Sequence, residues 1–246
     1  MHYINIFLLI YKKQYYERDK KTRVFNVIIL DRSGSMETIR RAAVEGFNET
    51  LAGIRSAQKK YADTQEHYVS LVTFCSCKIE HVFDKTSLKD ARPLRMEDYE
   101  PCCLTPLYDA MGFTLTDMNK YVKDMEDRMV VVTVITDGME NDSKEYDASA
   151  IRTLITKLRS EGWTFTYMGA NQDAILEAGK IGIRNSRNFD YSSAGIKHVF
   201  SSVMGSSICF YDKLAEWDLG CESMSEEERR KRYSEMADEA FDENNA

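Results

Sequence analysis

The sequence predicts an open α/β sheet that is mostly parallel, with helices on both faces. Two runs, Val24 to Leu30 and Met129 to Thr136, are almost entirely apolar. Such runs are typical of strands that are buried on both sides. Along the rest of the chain, short apolar runs alternate with longer segments of helical periodicity. That alternation is expected when helices connect neighbouring parallel strands.

The first half of the chain contains one exception to the parallel order. A long helix is predicted after Met36, because apolar residues then recur at near-helical spacing. Tyr68 to Cys75 and Lys78 to Phe83 follow as two strands that lie too close together for a crossover helix. We therefore expect a hairpin, which places one antiparallel strand in the sheet. A second helix face runs from Leu107 to Met125.

The second half of the chain returns to simple alternation. Its predicted elements are a helix over Ile151 to Leu158, a strand over Trp163 to Met168, a short helix from about Gln172 to Ile181, a weak strand near Asn188 to Tyr191, and a long helix from Ser192 or Ser193 to about Trp217. The ligand site of such a sheet is expected beyond the carboxyl ends of its strands.

The chain is expected to form one main domain over residues 23–217. Residues 1–22 are an extension whose apolar stretch, Ile4 to Tyr11, is far shorter than the roughly 20 residues that span a bilayer. Lys12 and Lys13 follow that stretch, whereas a signal peptide carries its charges in front. A strand or helix packed on the domain and a stretch outside the fold both remain open for this extension.

Residues 218–246 are a charged tail that is predicted to be helical. Ser225 and Glu228 have the spacing of a capping box, and an apolar stripe runs from Tyr233 to Phe241. The favoured interpretation is a solvated helix that packs loosely or frays, with a partner-binding helix as the alternative.

The net charge and the cysteines restrict the binding partners and the cellular compartment that we expect for this protein. A formal net charge of −7 argues against a broad surface for nucleic acid or anionic membrane, since both require a positive field. The six cysteines are unevenly clustered and do not indicate a secreted disulfide framework. Reduced thiols in a cytoplasmic protein are therefore expected.

Polar residues follow the two most apolar strands. Asp31-Arg32-Ser33-Gly34-Ser35 comes directly after the first strand, and Asp137-Gly138 comes after the second. A third loop, ending in Thr105-Pro106, leads into a helix. Alternate residues of an extended segment point the same way, so the first loop can direct three oxygen groups to one point. Pro106 can begin the helix and so fix the direction of the Thr105 hydroxyl.

The oxygen groups predicted to converge are two carboxylates and three hydroxyls. Oxygen ligands suit a hard divalent cation, Mg²⁺, Mn²⁺ or Ca²⁺, whereas zinc or copper calls for imidazole or thiolate. The candidate metal ligands are Asp31, Ser33, Ser35, Thr105 and Asp137.

Three segments together, DRSGSM, LTPLYDA and VITDGMEN, resemble the metal-ion-dependent adhesion site of the von Willebrand factor type A family. The resemblance covers about Arg23 to Trp217 and implies the Rossmann-like fold of that family. The intracellular, bacterial proteins associated with tellurite resistance look more similar than the integrin inserted domains. The resemblance implies direct ligation by Ser33 and Ser35, ligation by Thr105 either directly or through water, and waters held by the two aspartates. It also implies an open coordination position that binds an acidic group of a protein partner.

The sequence departs from the pattern of the family in the loop before Thr105 and in its cysteines. The loop before Thr105 is often glycine-rich in the family, but here it reads Pro101-Cys102-Cys103-Leu104. Cys75, Cys77, Cys102 and Cys103 approach the same edge, where a zinc site or a redox pair competes with ordinary reduced thiols. Ordinary, zinc-free thiols are the expectation, because CxC and CC are not usual structural-zinc spacings.

The first other class is a Mg²⁺-dependent phosphatase of the haloacid dehalogenase type. It needs a second acid where this chain has Ser33, so we expect no enzyme activity of this kind. The second is a purely structural scaffold whose cation only stiffens the loops.

Overall fold

The computed structural model describes residues 21–170, 173–218 and 224–242. The strands in this part of the chain are β1 Thr22–Asp31, β2 Gln65–Cys75, β3 Lys78–Ser87, β4 Arg128–Thr136, β5 Thr164–Gly169 and β6 Asn185–Asn188. The α-helices are α1 Arg40–Lys60, α2 Leu107–Val122, α3 Ala148–Ser160, α4 Asp173–Lys180, α5 Ser193–Asp218 and α6 Glu226–Asp242.

The described strands form one sheet in the order β3-β2-β1-β4-β5-β6. Strand β3 pairs with β2 in an antiparallel hairpin, and the other neighbouring pairs are parallel. The predicted fold class, a mostly parallel open sheet with one antiparallel strand, is therefore confirmed.

Strand β1 shows why its sequence is almost entirely apolar. Val24, Ile28 and Leu30 belong to a core that also contains buried residues of α1, α5 and α6. Phe25 and Ile29 belong to a second core that includes α2 and α3. Successive side chains of a strand point to opposite faces, so a strand covered on both faces needs apolar residues at every position.

One predicted strand differs in position. Strand β6 lies three residues before the predicted position near Asn188 to Tyr191. The actual strand is polar and pairs with β5 through its backbone, starting with Thr166 beside Asn185. The long helix α5 begins as predicted, with the Ser192 hydroxyl accepting a hydrogen bond of 3.0 Å from the Gly195 N–H.

The predicted helix after Met36 begins with a short 3₁₀ segment, Gly34–Ile39, before α1 takes over at Arg40. The expectation that Pro106 begins α2 is wrong by one residue. Pro106 is the N-cap and Leu107 is the first helical residue. Helix ends of this kind commonly shift by a residue.

Helix α6 is more firmly packed than its composition suggests. The capping box is present, since Ser225 N–H and hydroxyl groups both meet the Glu228 carboxylate at 2.8 Å. Tyr233, Met236, Ala237 and Ala240 of the apolar stripe are buried in the core beside α5, and Tyr233 lies edge-on to Trp217 with ring centroids 5.0 Å apart. The expectation of a loosely packed tail is therefore wrong for Glu226–Asp242.

The stretch Ile4 to Tyr11 lies outside the described residues. No helix in the described part of the chain combines the length and apolar character that crossing a membrane requires.

Candidate metal centre

The candidate site lies at the carboxyl ends of β1 and β4. The two strands are parallel neighbours with Leu30 beside Ile135, so the residues that follow each strand emerge side by side. The Thr136 hydroxyl donates a hydrogen bond of 2.6 Å to Asp31 Oδ2 and accepts one of 3.1 Å from the Gly138 N–H. Thr136 thus holds the first predicted carboxylate next to the loop that carries the second.

The loop after β1 turns its oxygen groups inward. The Ser33 N–H donates to Asp31 Oδ1 at 2.7 Å, which bends the chain back over the carboxylate. The hydroxyl oxygens of Ser33 and Ser35 lie 3.1 Å apart. The Ser35 hydroxyl donates to Asp137 Oδ1 at 2.8 Å. Four of the five predicted ligands are therefore linked by direct contacts.

Thr105 is brought to the same point by the third loop. Its N–H donates to Asn141 Oδ1 at 2.8 Å, and the Asn141 N–H donates to the Thr105 carbonyl at 3.2 Å. A Cβ atom added at Gly138 would lie 3.3 Å from Thr105 Oγ1 and 4.0 Å from Asp31 Oδ2. Glycine at position 138 thus leaves room for the threonine hydroxyl beside the Asp31 carboxylate. All five predicted residues surround one small volume.

The charge of this volume is not balanced by the protein. Burial raises the pKa of Asp31 to about 6, although hydrogen bonds from Thr136 and Ser33 act in the opposite direction. Burial also raises the pKa of Asp137 above its usual range. Among the described residues neither carboxylate has a Lys or Arg ion pair, and the buried Asp137 Oδ2 has no hydrogen-bond partner. One buried and one half-buried carboxylate, with neutral hydroxyls around them, fit a hard divalent cation.

The prediction from sequence missed the residues that support this arrangement. Thr136 and Asn141 lie within the VITDGMEN segment but were given no role. Asp109, in LTPLYDA, accepts three backbone N–H bonds of 2.8–2.9 Å from residues 144–146 and so holds the loop after β4. The buried Tyr99 hydroxyl donates to the Asp31 carbonyl, a contact for which the sequence gives no local signal.

The candidate site is buried on one side and open to solvent on the other. Asp31, Ser33 and Thr105 are buried, whereas Ser35 is exposed and Asp137 is half-buried. Two apolar side chains flank the opening: Leu104, next to Thr105, is 50% exposed, and Met139, next to Gly138, is 57% exposed. These two side chains are the exposed apolar surface next to the oxygen groups.

No protein-family model matches the sequence, and a comparison with curated proteins finds no match. Among solved structures, the chain is similar to the pilus adhesin SpaC from Lactobacillus rhamnosus GG, with a TM-score of 0.56, 14% identity, and coverage of 79% of this chain and 31% of the adhesin chain. The open conformation of SpaC gives a TM-score of 0.55 at the same identity and coverage. The proximal thread matrix protein 1 of the mussel byssus has a TM-score of 0.49 and 14% identity over 75% of this chain and 46% of its own, which is too weak to support an argument.

This chain thus spans less than half the length of either protein. At this level of identity the similarity concerns the fold alone. SpaC contains a von Willebrand factor type A domain, and the described part of this chain has a fold of that type.

We predict that the protein does not hydrolyse phosphate esters. The position where a phosphatase of the haloacid dehalogenase type needs its general acid is Ser33, whose hydroxyl contacts Ser35 at 3.1 Å. Purified protein with Mg²⁺ should show no turnover of an aryl phosphate above that of an Asp31→Asn preparation. Turnover that is lost in Asp31→Asn and retained in Thr105→Ala would instead place the protein among the enzymes.

Proposed function

We propose that this protein is a divalent-cation-dependent protein-binding module. One Mg²⁺, Mn²⁺ or Ca²⁺ ion is held by Asp31, Ser33, Ser35, Thr105 and Asp137, and its open coordination position binds an Asp or Glu carboxylate of a partner protein. The observation that carries the proposal is the convergence of three hydroxyls and two carboxylates at an opening to solvent. Asp31 is buried and Asp137 half-buried, and among the described residues neither has a Lys or Arg ion pair.

The composition of the site supports binding of an outside carboxylate. Two aspartates balance the charge of a divalent cation, while the hydroxyls are neutral and leave the ion attractive to a further anion. More anionic ligands would satisfy the cation within the protein. Ser35 and Asp137 lie on the accessible side, so a partner can approach the ion from there.

The rim supplies a second source of affinity and of selectivity. Leu104 and Met139 flank the opening with exposed apolar side chains. A partner that places a carboxylate on the ion would bury these side chains at the same time. Burying apolar surface contributes about 25 cal/mol per Å². The proposed partner therefore presents an acidic residue within an otherwise apolar patch.

Replacing Thr105 with Ala should abolish cation-dependent partner binding while leaving a folded protein. The Thr105 hydroxyl lies inside the proposed coordination shell but does not cap α2, so its loss should cost no more than about 1 kcal/mol of folding free energy. Thr105→Ser keeps the hydroxyl and is the matched control. The test is a pull-down from an extract of the source cells with Mg²⁺ or with chelator, alongside thermal melting of each variant.

The result expected is a protein retained by the wild type and Thr105→Ser with Mg²⁺, and lost with chelator or with Thr105→Ala. Changing acidic residues of the captured protein to their amides should then remove binding. If Thr105→Ala unfolds, or binds normally while folded, the cation only stiffens the loops and the scaffold alternative replaces this proposal. The choice of Mg²⁺, a cytoplasmic location and the likeness to the tellurite-resistance branch remain predictions from the sequence.

A further inference from the structure

Four cysteines form a second cluster, next to the candidate metal centre. Cys75 ends β2 and Cys77 lies in the turn to β3, while Cys102 and Cys103 belong to the loop before Thr105. The Sγ atoms of Cys75 and Cys102 lie 3.3 Å apart, and those of Cys77 and Cys103 lie 2.9 Å apart. All four are free thiols. We call this group the thiol cluster.

The contacts in the thiol cluster link the two cysteine pairs. The thiols of Cys75, Cys77 and Cys102 all lie within 4.8 Å of one another, and Cys103 joins this group through its 2.9 Å contact with Cys77. Two separate disulfides would require closeness only within each pair. Four sulfurs around one zinc ion, at about 2.3 Å from it, lie about 3.8 Å from each other, a spacing that three of these sulfurs approach.

Hydrogen-bond donors surround the sulfur of Cys75. The backbone N–H groups of Cys77 and Lys78 donate to this sulfur, and the Cys102 thiol lies 3.3 Å from it. The Arg32 guanidinium lies 3.7 Å from the same sulfur. Backbone and guanidinium donors aimed at a thiolate orient it as a ligand and balance part of its charge.

The backbone is shaped to bring the remaining thiols together. Cys103 has a φ of 60°, in the left-handed region that a cysteine seldom adopts. With this turn, the Cys102 sulfur lies 3.3 Å from that of Cys75 and the adjacent Cys103 sulfur lies 2.9 Å from that of Cys77. The Leu104 N–H donates to the Ser76 hydroxyl at 3.1 Å, and the Ser76 N–H donates to the Leu104 carbonyl at 3.0 Å. These bonds hold the two cysteine-bearing loops against each other.

We propose that Cys75, Cys77, Cys102 and Cys103 bind one Zn²⁺ ion as a closed four-thiolate site at the rim of the candidate metal centre. Thiolates are the preferred ligands of structural zinc, and four of them fill its tetrahedral shell. The spacing in the sequence argued for ordinary thiols, because CxC and CC are unusual within one zinc loop. The structure changes that preference, since the ligands come as two pairs from two loops that are hydrogen-bonded together.

The experiment measures zinc in protein purified under reducing conditions and dialysed against excess Mg²⁺. Elemental analysis should find one zinc per chain in the wild type. Cys102→Ser should lose it, and so should Cys77→Ser, whose exposed position spares the fold. Cys209→Ser, a half-buried cysteine on α5 outside the cluster, is the matched control and should retain it. Ser35→Ala should also retain zinc, because its hydroxyl belongs to the oxygen site.

A second measurement identifies the ligand type. Co²⁺ added to zinc-free protein should produce the intense thiolate-to-cobalt charge-transfer absorption of a tetrahedral thiolate site, and Zn²⁺ should displace it. Three results would overturn the proposal. Zinc that is lost in Ser35→Ala and kept in Cys102→Ser belongs to the oxygen site. A mass lowered by the hydrogens of two disulfides shows that the thiols pair with each other. Four reactive thiols without zinc, in folded protein supplied with Zn²⁺, show an ordinary cluster.

Discussion

Replacing Asp137 with Ala should weaken Mg²⁺ and Mn²⁺ binding by about 100-fold or more. That factor corresponds to about 2.8 kcal/mol. The attraction between two unit charges about 4 Å apart is about 4 kcal/mol at the effective dielectric constant of about 20 that suits such sites, so loss of one carboxylate is large enough to produce it. Removal of Asp137 also frees the Ser35 hydroxyl from its 2.8 Å bond.

Isothermal calorimetry of the wild type and the variant with each cation checks this prediction. Glu37→Gln is the matched control. Glu37 is an exposed acid in the 3₁₀ segment that contains Ser35, and it is not one of the proposed ligands. Its cation affinity should stay close to that of the wild type. Ser33→Ala, which removes a proposed direct ligand without removing charge, should also weaken binding. If Asp137→Ala and Glu37→Gln bind Mn²⁺ equally well, the oxygen cluster is not the cation site.

Replacing Tyr233 with Ala should destabilise the fold by about 3–5 kcal/mol, the usual cost of deleting a buried aromatic ring. Tyr233 is 4% exposed and packs edge-on against Trp217, so its removal opens a cavity between α5 and α6. For a domain of this size, 1 kcal/mol corresponds to a change of about 2–4 °C in melting temperature. The expected decrease in Tm is therefore about 10 °C.

Urea and thermal unfolding of the variant measure this effect. Glu235→Ala lies on the exposed side of the same helix and should change stability by less than about 0.5 kcal/mol, even though Glu235 contacts Arg232 at 3.2 Å. If Tyr233→Ala leaves the stability unchanged, the interpretation of α6 as a loosely packed tail would be correct after all.

The parts of the structure that the sequence predicts well are those in which neighbouring residues share one environment. Every residue from Arg128 to Thr136 is buried, and the sequence accordingly reads as a nearly continuous apolar run. Asp31, Ser33 and Ser35 alternate along one loop, so their common direction follows from local geometry. Both features need no knowledge of distant contacts.

The features that the sequence does not reveal depend on contacts between distant segments. Tyr99 reaches the Asp31 carbonyl across 68 residues, and no pattern near either residue indicates it. The spacings of the four cysteines in the sequence do not indicate a zinc site, and only the contact between two loops brings their sulfur atoms together. In α6, charge dominates the composition while a narrow stripe around Met236 carries the packing, so average polarity conceals a buried face.

The order of the strands also determines when the candidate metal centre can exist. Asp31 and Thr136 contact each other across 105 residues, because β1 takes its place between β2 and the much later β4. Contacts this far apart in sequence form late in folding, since closing long loops costs entropy before the contacts are made. On a ribosome, the first aspartate emerges long before the strand that completes its surroundings. A cation bound at the proposed site would therefore be a ligand of the finished fold and would take no part in guiding the chain towards it.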